Sequence, residues 1–192
     1  MIFLRLWCAT IALNSDSRAF KPRISYRIEE RPYEDKYVTI ATNSTSGCKF
    51  WTREGWQELI NHLHSLGYKV INVSKENNPF DNCEKIKDTA MDYTMNVIHH
   101  SEFFIGLSSG LSWLAWGMGK QVVMISNFTE PDHEFTSNCI RITNPKVCNG
   151  CWNNPKFRFN KGDWNWCPEH EDTPRQFECH KSISVEDVMN KI

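Results

Sequence analysis

Four cysteines towards the end of the chain, Cys148, Cys151, Cys167 and Cys179, form a Cys-x2-Cys pair followed by two outlying thiols. A pair spaced this way can set both sulfurs on one ion, and the intervening chain can return two more to complete a tetrahedron. Thiolate tetrahedra suit Zn or Fe, and spacing alone favours Zn as the commoner tenant. Four protein ligands would close the site and make its role structural. His170 and His180 stand nearby and could replace one cysteine. Two disulfides, or buried or free thiols, are the alternatives. The stretch from Cys148 to His180 has no sustained apolar period, and such a segment needs a staple to hold a shape. Cys8, Cys48, Cys83 and Cys139 are isolated, and packing or chance explains them.

Three other segments carry chemistry for an anionic ligand. Gly106-Leu107-Ser108-Ser109-Gly110 lies between a strand-like and a helix-like run. Its glycines permit close backbone approach, its hydroxyls donate, and the helix start presents unpaired N–H groups. Asn43-Ser44-Thr45-Ser46-Gly47-Cys48-Lys49-Phe50-Trp51 offers the Lys49 charge opposite a diphosphate, with Ser44 and Thr45 as donors. Asn127-Phe128-Thr129-Glu130-Pro131 points to the same edge, where Asn127 and Thr129 could line a nucleoside pocket. A Gly/Ser turn that only caps a helix, and a lysine that is only solvated, are the plain alternatives. Neither a Walker A sequence nor a G-x-G-x-x-G fingerprint is present, which disfavours nucleotide hydrolysis and dinucleotide redox chemistry.

These loops need a frame. The β-branched run Tyr37 to Thr42 reads as a strand, and Trp56, Leu59, Ile60, Leu63 and Leu66 recur at helical spacing before the stop at Gly67. Tyr68 to Val73 is a second strand, Met91 to His100 a second helix, and Phe103 to Gly106 a third strand. The next helix places Leu111, Leu114, Ala115 and Met118 on its buried side and ends at Gly119; Gln121 to Ser126 is a fourth strand. Strands alternating with helices predict an α/β fold with a Rossmann-like parallel sheet, since parallel neighbours need crossovers. Ligands of such sheets bind at the carboxyl ends of the strands. A last helix, Val185 to Ile192, begins after the N-cap Ser184. Residues 14–36 are polar, broken by Pro22 and Pro32, and read as a linker or an arm on a neighbouring domain.

The charge is balanced, with 22 Lys+Arg against 23 Asp+Glu, so no basic surplus argues for nucleic acid. Hydrophobic residues make up 40%, enough for a buried core. The apolar opening Met1 to Leu13 is too short for a bilayer, contains Arg5 and lacks the cleavage pattern of a secretory signal. The expectation is a cytoplasmic chain, with no membrane span, whose clustered cysteines hold metal.

Ser44 to Trp51, the run FFIGLSSGLSWLAW from Phe103 to Trp116, and Cys148 to Cys179 with WCPEHEDTPRQFEC together resemble the C-terminal half of a GT-B glycosyltransferase. The likeness is to the bacterial autotransporter heptosyltransferases, relatives of the lipopolysaccharide heptosyltransferases of glycosyltransferase family 9. It implies domains at 1–36 (remnant of an N-terminal half and linker), 37–144 (nucleotide-sugar lobe), 145–183 (four-cysteine metal finger) and 184–192 (helix). It also implies that Lys49 contacts the phosphates of a nucleoside-diphosphate heptose, with Ser44 and Thr45 beside it. Ser108, Ser109, Gly110 and Leu111 would cradle the diphosphate-sugar, and Thr89 would fall near the adenine edge. In that branch the four cysteines resemble a finger that binds iron, which outranks Zn.

Where the lipopolysaccharide enzymes have Asp-Thr-Gly and a His three residues on, this chain has Ser108-Ser109-Gly110 and Trp113. The acceptor, by the resemblance, would be serine hydroxyls of an autotransporter adhesin, and the assembly a homo-oligomer. The catalytic base would lie in an N-terminal half with no counterpart here, so the chain reads as a truncated product. A metal-stapled interaction module without catalysis is the rival reading. A serine hydrolase on Ser108 or Ser109 is the remote one, since no His is evidently placed to activate either.

Overall fold

The computed structural model describes residues 21–158 and 165–192. The apolar opening Met1 to Leu13 therefore lies outside the described residues. Six strands form one sheet: β1 (Tyr37–Ala41), β2 (Lys69–Asn72), β3 (Glu84–Lys85), β4 (Phe104–Leu107), β5 (Val122–Ile125) and β6 (Cys139–Ile142). All neighbours are parallel, in the order β3-β2-β1-β4-β5-β6. The chain builds outward from β1 in one direction, then returns to start β4 on its other side. The loops after β1 and β4 therefore part at the carboxyl edge and leave a crevice, the switch point at which such sheets bind ligands.

Successive residues of β1 face opposite layers, as strand geometry requires. Val38 and Ile40 join a core with Trp56, Leu59, Ile60 and Leu63 of α1 (Arg53–Ser65). Tyr37 and Ala41 join the opposite core with Val97 and Ile98 of α2 (Met91–His100) and Trp116 of α3 (Gly110–Gly117). Helices on both faces explain why the strands read as continuous apolar runs rather than alternating ones. Thr52 caps α1 by accepting from the Gly55 amide at 3.0 Å, and Gly67 (φ 84°) and Gly119 (φ 89°) take the left-handed conformation that ends α1 and α3.

Several expectations shift. On α3 the buried residues are Ser112, Ala115, Trp116 and Gly117, whereas Leu111, Leu114 and Met118 are only partly buried. The helix is apolar nearly all round, so periodicity could not choose its inward face. Two short helices, α4 (Glu178–Lys181) and α5 (Val185–Met189), follow the cysteine segment, and α5 stops short of Ile192. Ser184 caps α5 in a reciprocal box with Asp187. The arm before β1 lies on this same lobe. Asn96 of α2 accepts from the Glu29 amide and donates to the Glu30 carbonyl, both at 3.0 Å. No helix among the described residues is long and apolar enough to cross a membrane.

Leu59 is fully buried in the core between α1 and the sheet. Leu59→Ala should cost about 2–5 kcal/mol of stability, read from urea unfolding.

Candidate functional site

An open cavity of about 650 Å³ sits at the switch point. The loop after β1 contributes Asn43, Ser44, Thr45 and Lys49; the loop after β2, Ser74, Lys75 and Glu76. The turn after β4 and the start of α3 contribute Ser108, Ser109, Gly110 and Leu111, with Met91, Trp113 and Leu114 forming an apolar wall. Seven of the ten residues expected to hold a donor thus line one cavity: Ser44, Thr45, Lys49, Ser108, Ser109, Gly110 and Leu111.

The two principal loops are joined by a direct bond. Lys49 Nζ donates to the Ser108 carbonyl at 3.0 Å and lies over the Phe128 ring, 5.9 Å from its centroid. Burial pulls the lysine below its ordinary pKa, while Glu134 and then Cys48 push it back up. Among the described residues no carboxylate lies within ion-pair distance of it. An ammonium has three donors, so Lys49 has capacity for an anion beyond the Ser108 bond. Ser109 is the N-cap of α3 but makes no capping bond, and its Oγ is buried without a partner. The first amides of a helix lack intrahelical acceptors. A cation, an unsatisfied hydroxyl and a helix N-terminus therefore converge on the cavity, a combination suited to a phosphate group.

The cysteine segment packs against this site from behind. Cys148, Cys151, Cys167 and Cys179 are all free thiols, which excludes the two-disulfide alternative among them. Burial pushes Cys151 and Cys179 up to about 12, and the charges of the neighbouring thiols add to the effect. Cys148 rises too, with Glu178 and Cys167 contributing after burial. Every pair of the four is close enough to interact electrostatically. Sulfurs gathered closely enough that neighbouring thiols oppose the ionisation of Cys148, Cys151 and Cys179 fit a bound cation, which would stabilise the thiolates. Cys148, His170 and Glu178 also bring ligand atoms within 4.8 Å of one another. His180, on α4, is buried with neither ring nitrogen hydrogen-bonded; burial, and next the Lys49 charge, lower it to about 4.

Three expected donor residues stand elsewhere. Thr89 is exposed just before α2 and does not line the cavity. Asn127 is turned into the fold: its Nδ2 donates to the Cys179 carbonyl at 2.9 Å and its Oδ1 accepts from the Asn144 amide at 3.3 Å. Thr129 is buried, and its carbonyl accepts from Arg141. The loop after β5 is instead sutured to the cysteine segment. The Asn127 carbonyl accepts from Gly150 N at 2.8 Å and that of Phe128 from Trp152 N at 2.9 Å. Asn165 Oδ1 accepts from the Gly47 amide at 2.8 Å, tying the cysteine segment to the Lys49 loop as well. Sequence reasoning missed Glu134 and Arg141, a buried ion pair beneath Ser108. A lone arginine inside the strand Cys139–Ile142 was the one local signal.

Topology and site define the class: an α/β lobe with an open cavity at the switch point of a parallel sheet, the place where such sheets bind ligands. The family model for glycosyltransferase family 9 (heptosyltransferase) matches residues 9–164, and the chain belongs to this family. The autotransporter heptosyltransferase BAHTCr of Citrobacter rodentium is 43% identical over 161 residues, 78% of this chain and 39% of the relative. The inactive autotransporter heptosyltransferase BimC of Burkholderia thailandensis is 36% identical, covering 96% of this chain and 46% of its own length. The crystal structure of the iron-containing dodecameric glycosyltransferase TibC from enterotoxigenic E. coli superposes with a TM-score of 0.81 at 37% identity, over 88% of this chain and 46% of that one. TibC in complex with ADP-D-beta-D-heptose gives 0.78 at 38% identity, over 88% and 47% of the two chains. This chain spans under half the length of these relatives.

Asn127→Ala would strip one bond from the sheet edge to the cysteine segment, at the Cys179 carbonyl, and one to the Asn144 amide that precedes it. An expected loss of about 1–3 kcal/mol in denaturant unfolding measures how firmly the finger is attached.

Proposed function

We propose that this chain is the donor-binding lobe of an autotransporter O-heptosyltransferase and grips the diphosphate of an ADP-heptose-like donor. The observation that carries the reading is the meeting of Lys49 with the Ser108–Gly110 turn across one cavity. Lys49 and the α3 N-terminus would neutralise the diphosphate as the sugar leaves, the point at which fixed donors contribute most to rate. Ser44 and Thr45 would add hydrogen bonds to the phosphates. No residue of the lobe is assigned as the base. Deprotonation of an adhesin serine would fall to a base outside this lobe.

The cysteine segment is read as a finger holding one structural iron through Cys148, Cys151, Cys167 and Cys179, with Zn as the alternative and His170 and Glu178 beside it. Bound metal would supply folding stability, because the four sulfurs are gathered into one site only in the folded chain. The iron and the dodecamer of TibC support the metal and a homo-oligomer for this chain, and the cytoplasm is the compartment such a donor requires. The inactive relative BimC favours keeping a second reading, a metal-stapled module that does not catalyse transfer.

Calorimetric titration with ADP and ADP-heptose should give millimolar or tighter binding, and Lys49→Ala should weaken it about tenfold to hundredfold through lost charge-assisted bonds. Metal retention without heat from either nucleotide would favour the interaction module instead. Elemental analysis should find one metal per chain. Cys151→Ser or chelation should lower both the metal content and the melting temperature.

A further inference from the structure

Glu134 has no part in the donor reading and does not line the cavity, yet it is bonded to Ser108, which does. It follows the 3-10 turn Pro131–His133, and its side chain is only 2% exposed. The Ser108 hydroxyl, the Ser126 hydroxyl at 2.9 Å and the Arg141 guanidinium all donate to its carboxylate. The other terminal nitrogen of Arg141 donates to the Thr129 carbonyl, which anchors the pair between β6 and the loop after β5. Ser108 is consequently held twice, at its hydroxyl by Glu134 and at its carbonyl by Lys49. It is the residue immediately before Ser109, whose buried hydroxyl is unpartnered, and before the first turn of α3.

The charges add to the argument. Lys49 and Arg141 against Glu134 leave one positive charge unbalanced among these three groups, and Lys49 carries it at the edge of the open cavity, where an anionic ligand can answer it. We infer that Glu134 is a positioning residue for the anion site, fixing Ser108 so that the turn stays open to a phosphate. This rests on the donor-binding reading above. The groups facing Lys49 are Cys48 on its own turn, Glu134, and His180 on α4; Arg141 stands behind Glu134, and Lys75 and Glu76 share the cavity. Of these only Glu134 and Cys48 raise its pKa, Glu134 the more strongly. Without the Glu134 charge, Lys49 loses its proton, and its hold on a diphosphate, at lower pH.

The test is calorimetric titration with ADP across a pH series from neutral to strongly alkaline, with circular dichroism to verify folding. In the unsubstituted chain affinity falls as Lys49 deprotonates. Glu134→Gln should move that fall to lower pH, since the carboxylate charge that raises the Lys49 pKa is gone. Glu134→Asp keeps the charge but withdraws the carboxylate from Ser108. It should retain the alkaline fall and lose about threefold to tenfold in affinity at every pH. A Gln profile superimposable on the unsubstituted one, or an Asp variant of undiminished affinity, overturns the inference; if the Gln variant does not fold, the Asp variant decides alone. Absence of ADP binding by the unsubstituted chain would overturn the donor reading, and this inference with it.

Discussion

The bond between Lys49 Nζ and the Ser108 carbonyl spans 59 positions of sequence and holds the site together. It exists because β1 and β4 are neighbours in the sheet although α1, β2, β3 and α2 intervene. A lysine on a polar loop has no reason of its own to leave water. Here the sheet order brings it over Phe128, beside the turn after β4, where burial weakens its hold on its proton and Glu134 strengthens it. A cation kept in this balance is poised for an anionic ligand. The same order places the N-terminus of α3 at the crevice, so the fixed dipole and the mobile charge act on one point.

The cysteine segment is part of that site rather than an appendage. Asn127 and Phe128 bind it through their carbonyls, Asn127 again through its side chain, and Gly47 through Asn165. Cys48, Cys151 and Phe128 share one apolar cluster, and His180, next to Cys179, is close enough to Lys49 for the two charges to interact. Burial and the neighbouring thiols hold Cys151 and Cys179 protonated, so a metal bound there would have to displace their protons. A metal in the finger and a nucleotide in the crevice would thus stiffen the same loops from opposite sides.

What could be read from the residues follows from how local their signals were. Strands β1, β4 and β5 are apolar on both faces, so burial itself wrote them into the sequence, and α2 matches its expected bounds of Met91–His100. By contrast, β3 is two charged residues that become a strand only by pairing with β2. Strand β6 contains Arg141, whose charge is answered by Glu134, a partner that no local pattern announces. For the cavity, the strand-end rule gave the correct edge and the glycine–serine turn gave the helix start. The rule does not say which way a side chain turns. That is why Asn127 and Thr129, on the same edge, are used to tether the finger and β6, while Met91, Trp113 and Leu114 supply an apolar wall that motifs do not mark.

The most direct test of the account is a crystal structure of the chain with ADP bound. The diphosphate should lie within hydrogen-bonding distance of Lys49 Nζ and the first amides of α3, with the nucleoside in the same crevice. A nucleotide seated on another face, or a diphosphate turned to solvent with Lys49 still bonded only to the Ser108 carbonyl, would contradict it.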